Sequence, residues 1–225
     1  MTLEAVKLVQ GYKMSSDPQL RSEKVSTQVT VQSSNLNEEL GQIQFVFSDK
    51  TGTLTCNKMD FKRIMINGIV YGNATEEQQD NISDDSLPKI PNVDFHDANL
   101  LNILNNPENN QHEFVKHAVF FLALCHTVVA EYKQNEVIYN TSSPDELALI
   151  NFAKFCGVEF KGVEDNNLLV EFKGNVYKFK LLQTFEFNST RKKQSVIFEN
   201  DHKEIYLYCK GADSVIENQL SSLNK

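Results

Sequence analysis

Three common features are missing from this sequence: a long hydrophobic run, a pair of closely spaced cysteines and a block of basic residues. The longest apolar run, 118–125, falls well short of the roughly 20 residues that cross a bilayer. The cysteines at positions 56, 125, 156 and 209 form no C-x-x-C pair, which favours free thiols over a disulfide framework or a zinc site. These absences predict a chain that lies in the cytosol.

The formal net charge is -8, and most of it lies in one acidic, asparagine-rich tract. Residues 74–110 contain eight acidic side chains against Lys89 alone, together with three prolines and no sustained hydrophobic period. This composition predicts a mobile, solvated insertion. Because nucleic-acid binding depends on Lys and Arg side chains that meet phosphates, the acidic balance also predicts that nucleic acid is not a partner.

Hydrophobic periodicity predicts an α+β chain. Apolar residues at helical spacing predict an N-terminal helix that ends near 15–18, a helix over 142–156, and a helix from 112 onward. The buried face of that last helix is predicted to contain Phe114, Ala118, Phe121, Leu122 and Cys125. Alternating residues after Gly157 predict strands at 168–172, 176–187, 194–200 and 204–210, which are antiparallel because short turns join them.

The stretch FVFSDKTGTLTCN, 45–57, joins an apolar run to an aspartate and a cluster of small hydroxyl residues. The run 41–47 predicts a strand, and Asp49 follows its carboxyl end, where open α/β sheets bind ligands. A carboxylate there can attack a phosphoryl group, while Lys50 and the hydroxyls contact phosphate oxygens and Mg2+ joins carboxylate to phosphate. The alternative is a plain turn after a strand, with a local Asp hydrogen bond.

The seven residues DKTGTLT, 49–55, resemble the phosphorylation motif of the P-type ATPases. The longer stretch SNLNEELGQIQFVFSDKTGTLTCNKM looks like their phospholipid-translocating branch, the lipid flippases. The resemblance implies ATP as substrate, Mg2+ held through Asp49 and Thr51, phosphate contacts from Lys50 and Thr51, and an aspartyl phosphate on Asp49. Thr51 stands where related hydrolases of the haloacid-dehalogenase type carry a second aspartate as acid/base, which implies a longer-lived phosphoenzyme.

The stretch SSPDELALI, 142–150, has two readings that are compatible with each other. In the structural reading, Ser143 is the N-cap of a helix, Pro144 is its first residue and Glu146 completes a capping box. The stretch also resembles a motif of the flippase nucleotide domain, in which the glutamate that matches Glu146 faces the adenine.

Two further stretches, FEFNSTRKKQSVIF and YCKGADSVI, resemble nucleotide-binding motifs of the same family. In the first, Phe187 matches the residue that stacks on adenine, and Lys192 is a secondary contact; a core phenylalanine beside a solvated basic turn is the alternative. In the second, Lys210 matches the floor of the adenosine pocket, although a lysine at a strand end is usually just solvated. Glu146, Phe187 and Lys210 are thus expected to share one pocket, and no P-loop motif is present.

The resemblance also implies a layout: a membrane-proximal helix and stalk over 1–35, an incomplete Rossmann-like phosphorylation segment over 36–66, and a nucleotide-binding domain over 67–225. A complete flippase is a multi-pass membrane protein that moves a phospholipid, often with an accessory membrane subunit, and this segment lies on its cytoplasmic side. The TGE and GDGxND strings of a complete pump are absent. The chain is therefore expected to bind ATP weakly and to turn it over poorly or not at all.

Two other functions stay open. A soluble phosphotransferase or phosphatase could use Asp49, although Thr51 in place of the acid/base aspartate disfavours it. A truncated, stand-alone nucleotide-binding module without turnover is the second alternative.

Overall fold

The structure is a computed structural model that describes residues 3–22, 28–33, 37–72, 88–133 and 136–221. The chain forms two compact units, Met1–Cys56 and Asn57–Lys225. The predicted domains 1–35, 36–66 and 67–225 stay a prediction, and their boundary after residue 66 falls inside a hairpin of the second unit.

The first unit contains helices among its described residues. Helix α1 spans Leu3–Ser15, a short 3-10 helix spans Pro18–Leu20, and α2 spans Asn37–Leu40. The predicted end of α1 is confirmed, because a new element starts beyond it. Asp17 caps the 3-10 helix there by accepting a hydrogen bond from the Gln19 N–H at 2.9 Å.

The strand predicted at 41–47 is not formed. Residues 43–50 have no regular secondary structure, and Phe45, Val46 and Phe47 are 77%, 82% and 96% exposed. A strand is stabilised by pairing with a neighbouring strand, and no described segment pairs with these residues. The expected haloacid-dehalogenase-like sheet is therefore not seen in the described residues.

The second unit is built on a five-stranded antiparallel sheet in which neighbouring strands follow each other along the chain. The strands are β5 Val158–Glu164, β6 Asn167–Phe172, β7 Asn175–Phe185, β8 Lys193–Glu199 and β9 Ile205–Gly211. The four predicted strands are confirmed as β6 to β9, whereas β5 was not predicted. The turn between β6 and β7 places Lys173 at φ 52° and Gly174 at φ 75°, as a tight hairpin turn requires.

Helices and two further hairpins complete the second unit, and with its sheet they confirm the α+β class. The helices are α3 Ala98–Asn105, α4 His112–Leu124, α5 Pro144–Phe155 and α6 Asp213–Glu217. The hairpins are β1 Arg63–Ile66 with β2 Ile69–Gly72, and β3 Val129–Lys133 with β4 Glu136–Asn140. Among the described helices, none is long and apolar enough to cross a membrane.

Helix α4 lies at the centre of the unit, where it packs against α3, α5 and the sheet. Of the predicted buried face, Leu122 and Cys125 are buried and Ala118 and Phe121 are half-buried, but Phe114 is 50% exposed and was predicted wrongly. The buried residues Val115 and Val119 were not predicted. The physical reason is that neighbours on several sides bury a wider stripe than the one the period-based prediction selects. On the sheet side, the Phe120 ring meets the Phe172 ring edge to face, with centroids 5.6 Å apart.

The described part of the tract 74–110 packs into the core, which differs from the predicted mobile insertion. Residues 73–87 lie outside the described residues, but 88–110 contributes α3 and the buried side chains of Phe95 and Leu100, which are 2% and 0% exposed. Asp97 caps α3 through the Asn99 N–H and also accepts a hydrogen bond from Gly72 of β2. The acidic composition therefore masked a segment that packs into the core.

Candidate functional site

A cavity of about 590 Å³ lies between the start of α5, the end of β9 and the loop that follows β7. We call it the α5–β9 cavity. Its volume is in the range of small-molecule sites in proteins. Its lining residues are Thr127, Ser142, Ser143, Asp145, Glu146, Leu149, Glu186, Phe187, Gln194, Lys210 and Gly211. Three sequence-predicted site residues, Glu146, Phe187 and Lys210, thus come together from distant parts of the chain.

The start of α5 fixes the position of Glu146. Ser143 is the N-cap, and its hydroxyl accepts a hydrogen bond from the Glu146 N–H at 3.3 Å, as predicted. The other half of the predicted capping box is not formed, because the Ser143 N–H donates to the Thr141 hydroxyl instead. The Glu146 carboxylate is therefore available to the cavity rather than used by its own helix.

The Glu146 carboxylate is held by two residues from other elements. Its Oε1 pairs with Lys210 Nζ at 3.0 Å, and its Oε2 accepts a hydrogen bond from the Thr127 hydroxyl at 2.9 Å. Burial alone would raise the pKa of Glu146, but the attraction of Lys210 and the hydrogen bonds from Lys210 and Thr127 outweigh it and hold the pKa below its ordinary value. Glu146 is consequently ionised at neutral pH.

Strand β9 delivers Lys210 to the cavity. Lys210 is directly opposite Gln194 in the pairing of β8 with β9, so both side chains lie on the same face of the sheet. The next residue must be small, because a Cβ on Gly211 would come within 2.5 Å of the Lys192 carbonyl oxygen. Glycine at this position thus allows the two strand ends to approach each other and keeps Lys210 in register.

Phe187 lies on the loop beyond the end of β7 and is 61% exposed. With this exposure and its place in the cavity lining, the Phe187 ring is accessible to a ligand. The following turn is held by Asn188, whose side-chain oxygen accepts hydrogen bonds from Thr190 and Arg191 at 3.1 and 2.7 Å. Lys192, suggested as a secondary contact, is exposed and is not among the cavity-lining residues.

Thr127 and Gln194 are among the cavity residues that were not predicted as site residues from the sequence. Thr127 follows a buried histidine, His126, whose pKa is lowered to about 4 by burial. The neutral His126 ring donates from Nε2 to the Ala123 carbonyl at 2.8 Å and accepts from the Val128 N–H at Nδ1. In the sequence, Thr127 could have been found from its position directly after His126, a histidine at the end of a buried helix that holds the backbone in place. No pattern in the sequence marked Gln194.

Asp49, Lys50 and Thr51 belong to the first unit and are all exposed. They start a turn in which the Lys50 carbonyl accepts hydrogen bonds from the Leu54 and Thr55 N–H groups at 3.0 and 3.1 Å. Among the described residues, nothing donates a hydrogen bond to the Asp49 carboxylate, and no group of three or more His, Cys, Asp or Glu side chains could hold a metal ion. One free carboxylate beside a threonine hydroxyl fits Mg2+, which keeps most of its ligands as water and phosphate oxygens.

Comparison with known proteins matches the C-terminal half of the chain to a family model and the whole chain to individual relatives. Residues 114–225 match the family model described as "P-type ATPase, cytoplasmic domain N". Over 98% of its length, the chain is 38% identical to the phospholipid-transporting ATPase IC of Xenopus tropicalis. Over its full length it is 36% identical to the probable phospholipid-transporting ATPase IM of Homo sapiens and 38% identical to a phospholipid-transporting ATPase of Schizosaccharomyces pombe. It spans 18–20% of the length of these relatives.

Proposed function

Because the chain belongs to the P-type ATPases as a partial chain of their phospholipid-transporting branch, we propose that the α5–β9 cavity binds the adenine base of ATP and that Asp49 is the phosphoryl acceptor. The observation that carries the proposal is the convergence of Glu146, Phe187 and Lys210 on one cavity of suitable size. These residues come from three elements that are distant in sequence.

Each cavity residue has a role that follows from its chemistry. The open ring of Phe187 stacks on the base, a contact worth on the order of 1–3 kcal/mol. The ionised Glu146 carboxylate, fixed by Lys210 and Thr127, accepts a hydrogen bond from the base. Lys210 forms the floor of the pocket and stabilises the charge of Glu146.

Asp49 supplies the nucleophile for phosphoryl transfer. One carboxylate oxygen forms a bond to the γ-phosphorus of ATP, the bond from that phosphorus to the β,γ-bridging oxygen breaks, and ADP leaves with the bond electrons. Lys50 and the Thr51 hydroxyl contact the phosphate oxygens. Asp49 and Thr51 would hold Mg2+, which neutralises phosphate charge when bound. Thr51 cannot act as a general base for hydrolysis, so the acyl phosphate is long-lived.

The activity of a whole pump is part of the same proposal. The acyl phosphate on Asp49 drives membrane helices between states that expose a phospholipid to opposite leaflets, with an accessory membrane subunit as partner. In that arrangement the segment described here lies on the cytoplasmic side of a membrane. Residues 1–35 form the stalk, 36–66 the start of the phosphorylation domain, and 67–225 the nucleotide-binding domain.

Calorimetric titration of the full chain with ATP tests the cavity assignment. Phe187→Ala should weaken ATP binding about tenfold, because the stacking surface is removed. Phe114→Ala is the matched control, since Phe114 is a similarly exposed phenylalanine on α4 that does not line the cavity. Equal ATP affinity of the wild-type chain and Phe187→Ala would contradict the assignment.

Incubation with γ-labelled ATP and Mg2+ tests the second half of the proposal. The chain alone should bind ATP without efficient labelling, since no described strand pairs with the segment before Asp49. A longer protein that contains this segment should be labelled on Asp49, and Asp49→Asn should abolish the label. Efficient labelling of the 225-residue chain that is lost in Asp49→Asn would contradict the expected lack of turnover.

A further inference from the structure

A second cavity, of about 280 Å³, lies between α4 and the sheet, beside the turn that joins β8 to β9. We call it the α4–sheet cavity. It is lined by one face of α4, by aromatic rings of β7, β8 and β9, and by that turn. It shares no lining residue with the α5–β9 cavity, so a ligand here would be separate from the proposed nucleotide.

The sheet side of the α4–sheet cavity is an aromatic surface. Its rings belong to Tyr177 and Phe179 of β7, Phe198 of β8, and Tyr206 and Tyr208 of β9. The Phe198 ring is buried, and it meets the Phe179 and Tyr208 rings edge to face, with centroids 5.3 and 4.9 Å apart. The other four rings are half-buried. Since aromatic rings favour edge-to-face and offset contacts, this surface suits a flat aromatic ring as its guest.

The α4 side of the cavity adds a cation to this surface. Glu113, Lys116, His117, Phe120 and Leu124 recur at helical spacing, so they lie on one face of α4. Lys116 is half-buried, and within the described part of the chain its ammonium group takes part in no ion pair or hydrogen bond. Burial without a partner is unfavourable for a cation, because part of its water is removed.

The surroundings of Lys116 leave that cost uncompensated. Two other half-buried lysines of the same unit, Lys154 and Lys210, each contact a glutamate carboxylate, at 2.9 and 3.0 Å. The acids that line the α4–sheet cavity are more exposed than Lys116: 68% of the Glu113 side chain is exposed, and Asp201 is exposed in the β8–β9 turn. Lys116 is therefore the least solvent-screened charge of the cavity, and an anionic group of a ligand would compensate it.

We propose that the α4–sheet cavity binds a small aromatic carboxylate, with its ring on the aromatic surface and its carboxylate on the Lys116 ammonium group. The charge-assisted hydrogen bond from Lys116 selects an anion, and the aromatic rings select a flat apolar body. The volume is close to the lower end of small-molecule sites, which limits the ligand to one or two rings. The inference does not rest on the proposed nucleotide function.

Titration of the full chain with 2-naphthoate, followed by NMR, tests the proposal. A dissociation constant of about 1 mM is expected for a ligand of this size. 2-Naphthamide, which has the same shape without the charge, should bind about tenfold more weakly. Magnetisation transfer from the naphthalene protons to the Tyr177 and Phe179 rings should locate the probe. This comparison needs no variant of the chain.

Three variants test the role of the cation. Lys116→Met should weaken 2-naphthoate binding about tenfold, to the affinity of the amide, whereas Lys116→Arg keeps the charge and should keep the affinity. Lys178→Met is the matched control, because Lys178 is an exposed lysine between Tyr177 and Phe179 that does not line the cavity. Strand alternation places its side chain on the opposite face of β7, so its removal should leave binding unchanged.

Several results would overturn the inference. One is no binding of 2-naphthoate at about ten times the expected dissociation constant. Another is equal affinity of the wild-type chain for 2-naphthoate and 2-naphthamide, or unchanged affinity in Lys116→Met. Magnetisation transfer to Phe187 in place of Tyr177 and Phe179 would put the probe in the α5–β9 cavity and would also overturn it. A chain that binds 2-naphthoate as expected but binds no ATP would overturn the proposed function alone.

Discussion

Removal of the Lys210 ammonium group should destabilise the fold through the carboxylate that it leaves behind. In Lys210→Met, Glu146 keeps its hydrogen bonds from Thr127 but loses its only described ion pair, at 3.0 Å. Removing one partner of a fully buried pair costs about 3–5 kcal/mol. Because 20% of the Lys210 side chain is exposed, some solvent screening remains, and we expect a loss of about 2–3 kcal/mol in the free energy of unfolding at neutral pH.

The pH dependence separates this charge effect from a simple loss of packing. In the wild type the pKa of Glu146 lies below its ordinary value of 4.5, so the pair stabilises the fold above that value and the contribution is lost as pH falls. In Lys210→Met, burial without the cation raises the pKa of Glu146. Protonation of Glu146 as pH falls therefore removes the cost of burying its unpaired charge. The difference in stability between the two chains should therefore shrink in acid.

Urea unfolding of both chains across neutral to mildly acidic pH measures this difference. Lys203→Met is the matched control, because Lys203 forms an ion pair with Glu199 at 2.9 Å but is 79% exposed, and its removal should change stability little. A Lys210→Met chain that is as stable as the wild type at neutral pH, or a difference that does not change with pH, would refute the reasoning.

Three more predictions concern the same unit and its thiols. Gly211→Ala should lower the free energy of unfolding by about 1–3 kcal/mol and weaken ATP binding, because the new Cβ would lie 2.5 Å from the Lys192 carbonyl oxygen. Urea unfolding measures the change in stability, and titration with ATP measures the change in affinity. Ser143→Ala should lower the free energy of unfolding by about 1 kcal/mol through loss of the α5 N-cap. An unchanged midpoint of thermal unfolding would contradict the cap. In the native chain a thiol reagent should modify exposed Cys56 first and the buried Cys125 and Cys156 last, because burial raises the pKa of both thiols. Rapid labelling of Cys125 or Cys156 found by mass spectrometry would contradict their burial.

The parts of the fold that were predicted from the sequence have strong local signals. Ser143 and Pro144 are an N-cap and a first helical residue, and they locate the start of α5 correctly. The strands β6 to β9 alternate in hydrophobicity and are joined by short turns, such as Lys173 and Gly174, so their antiparallel order follows. The cavity residues Glu146, Phe187 and Lys210 were predicted through resemblance to a family rather than through any local pattern.

The parts that were missed depend on tertiary contacts that a local pattern does not contain. Strand β5 has a β-bulge between Phe160 and Gly162, which interrupts its alternation. Phe95 lies within an acidic tract, yet its ring meets the Phe152 ring of α5 edge to face at 4.9 Å. Gln194 looks like an ordinary strand residue, and only the folded chain brings it to the cavity.

The convergence of Glu146, Phe187 and Lys210 on a nucleotide cavity is the central claim, and NMR of the full chain with ATP tests it most directly. Magnetisation transfer between the adenine ring protons and the Phe187 ring protons should be observed, because the base is expected to stack on that ring. Transfer from adenine to residues outside the α5–β9 cavity, with none to Phe187, would contradict the claim.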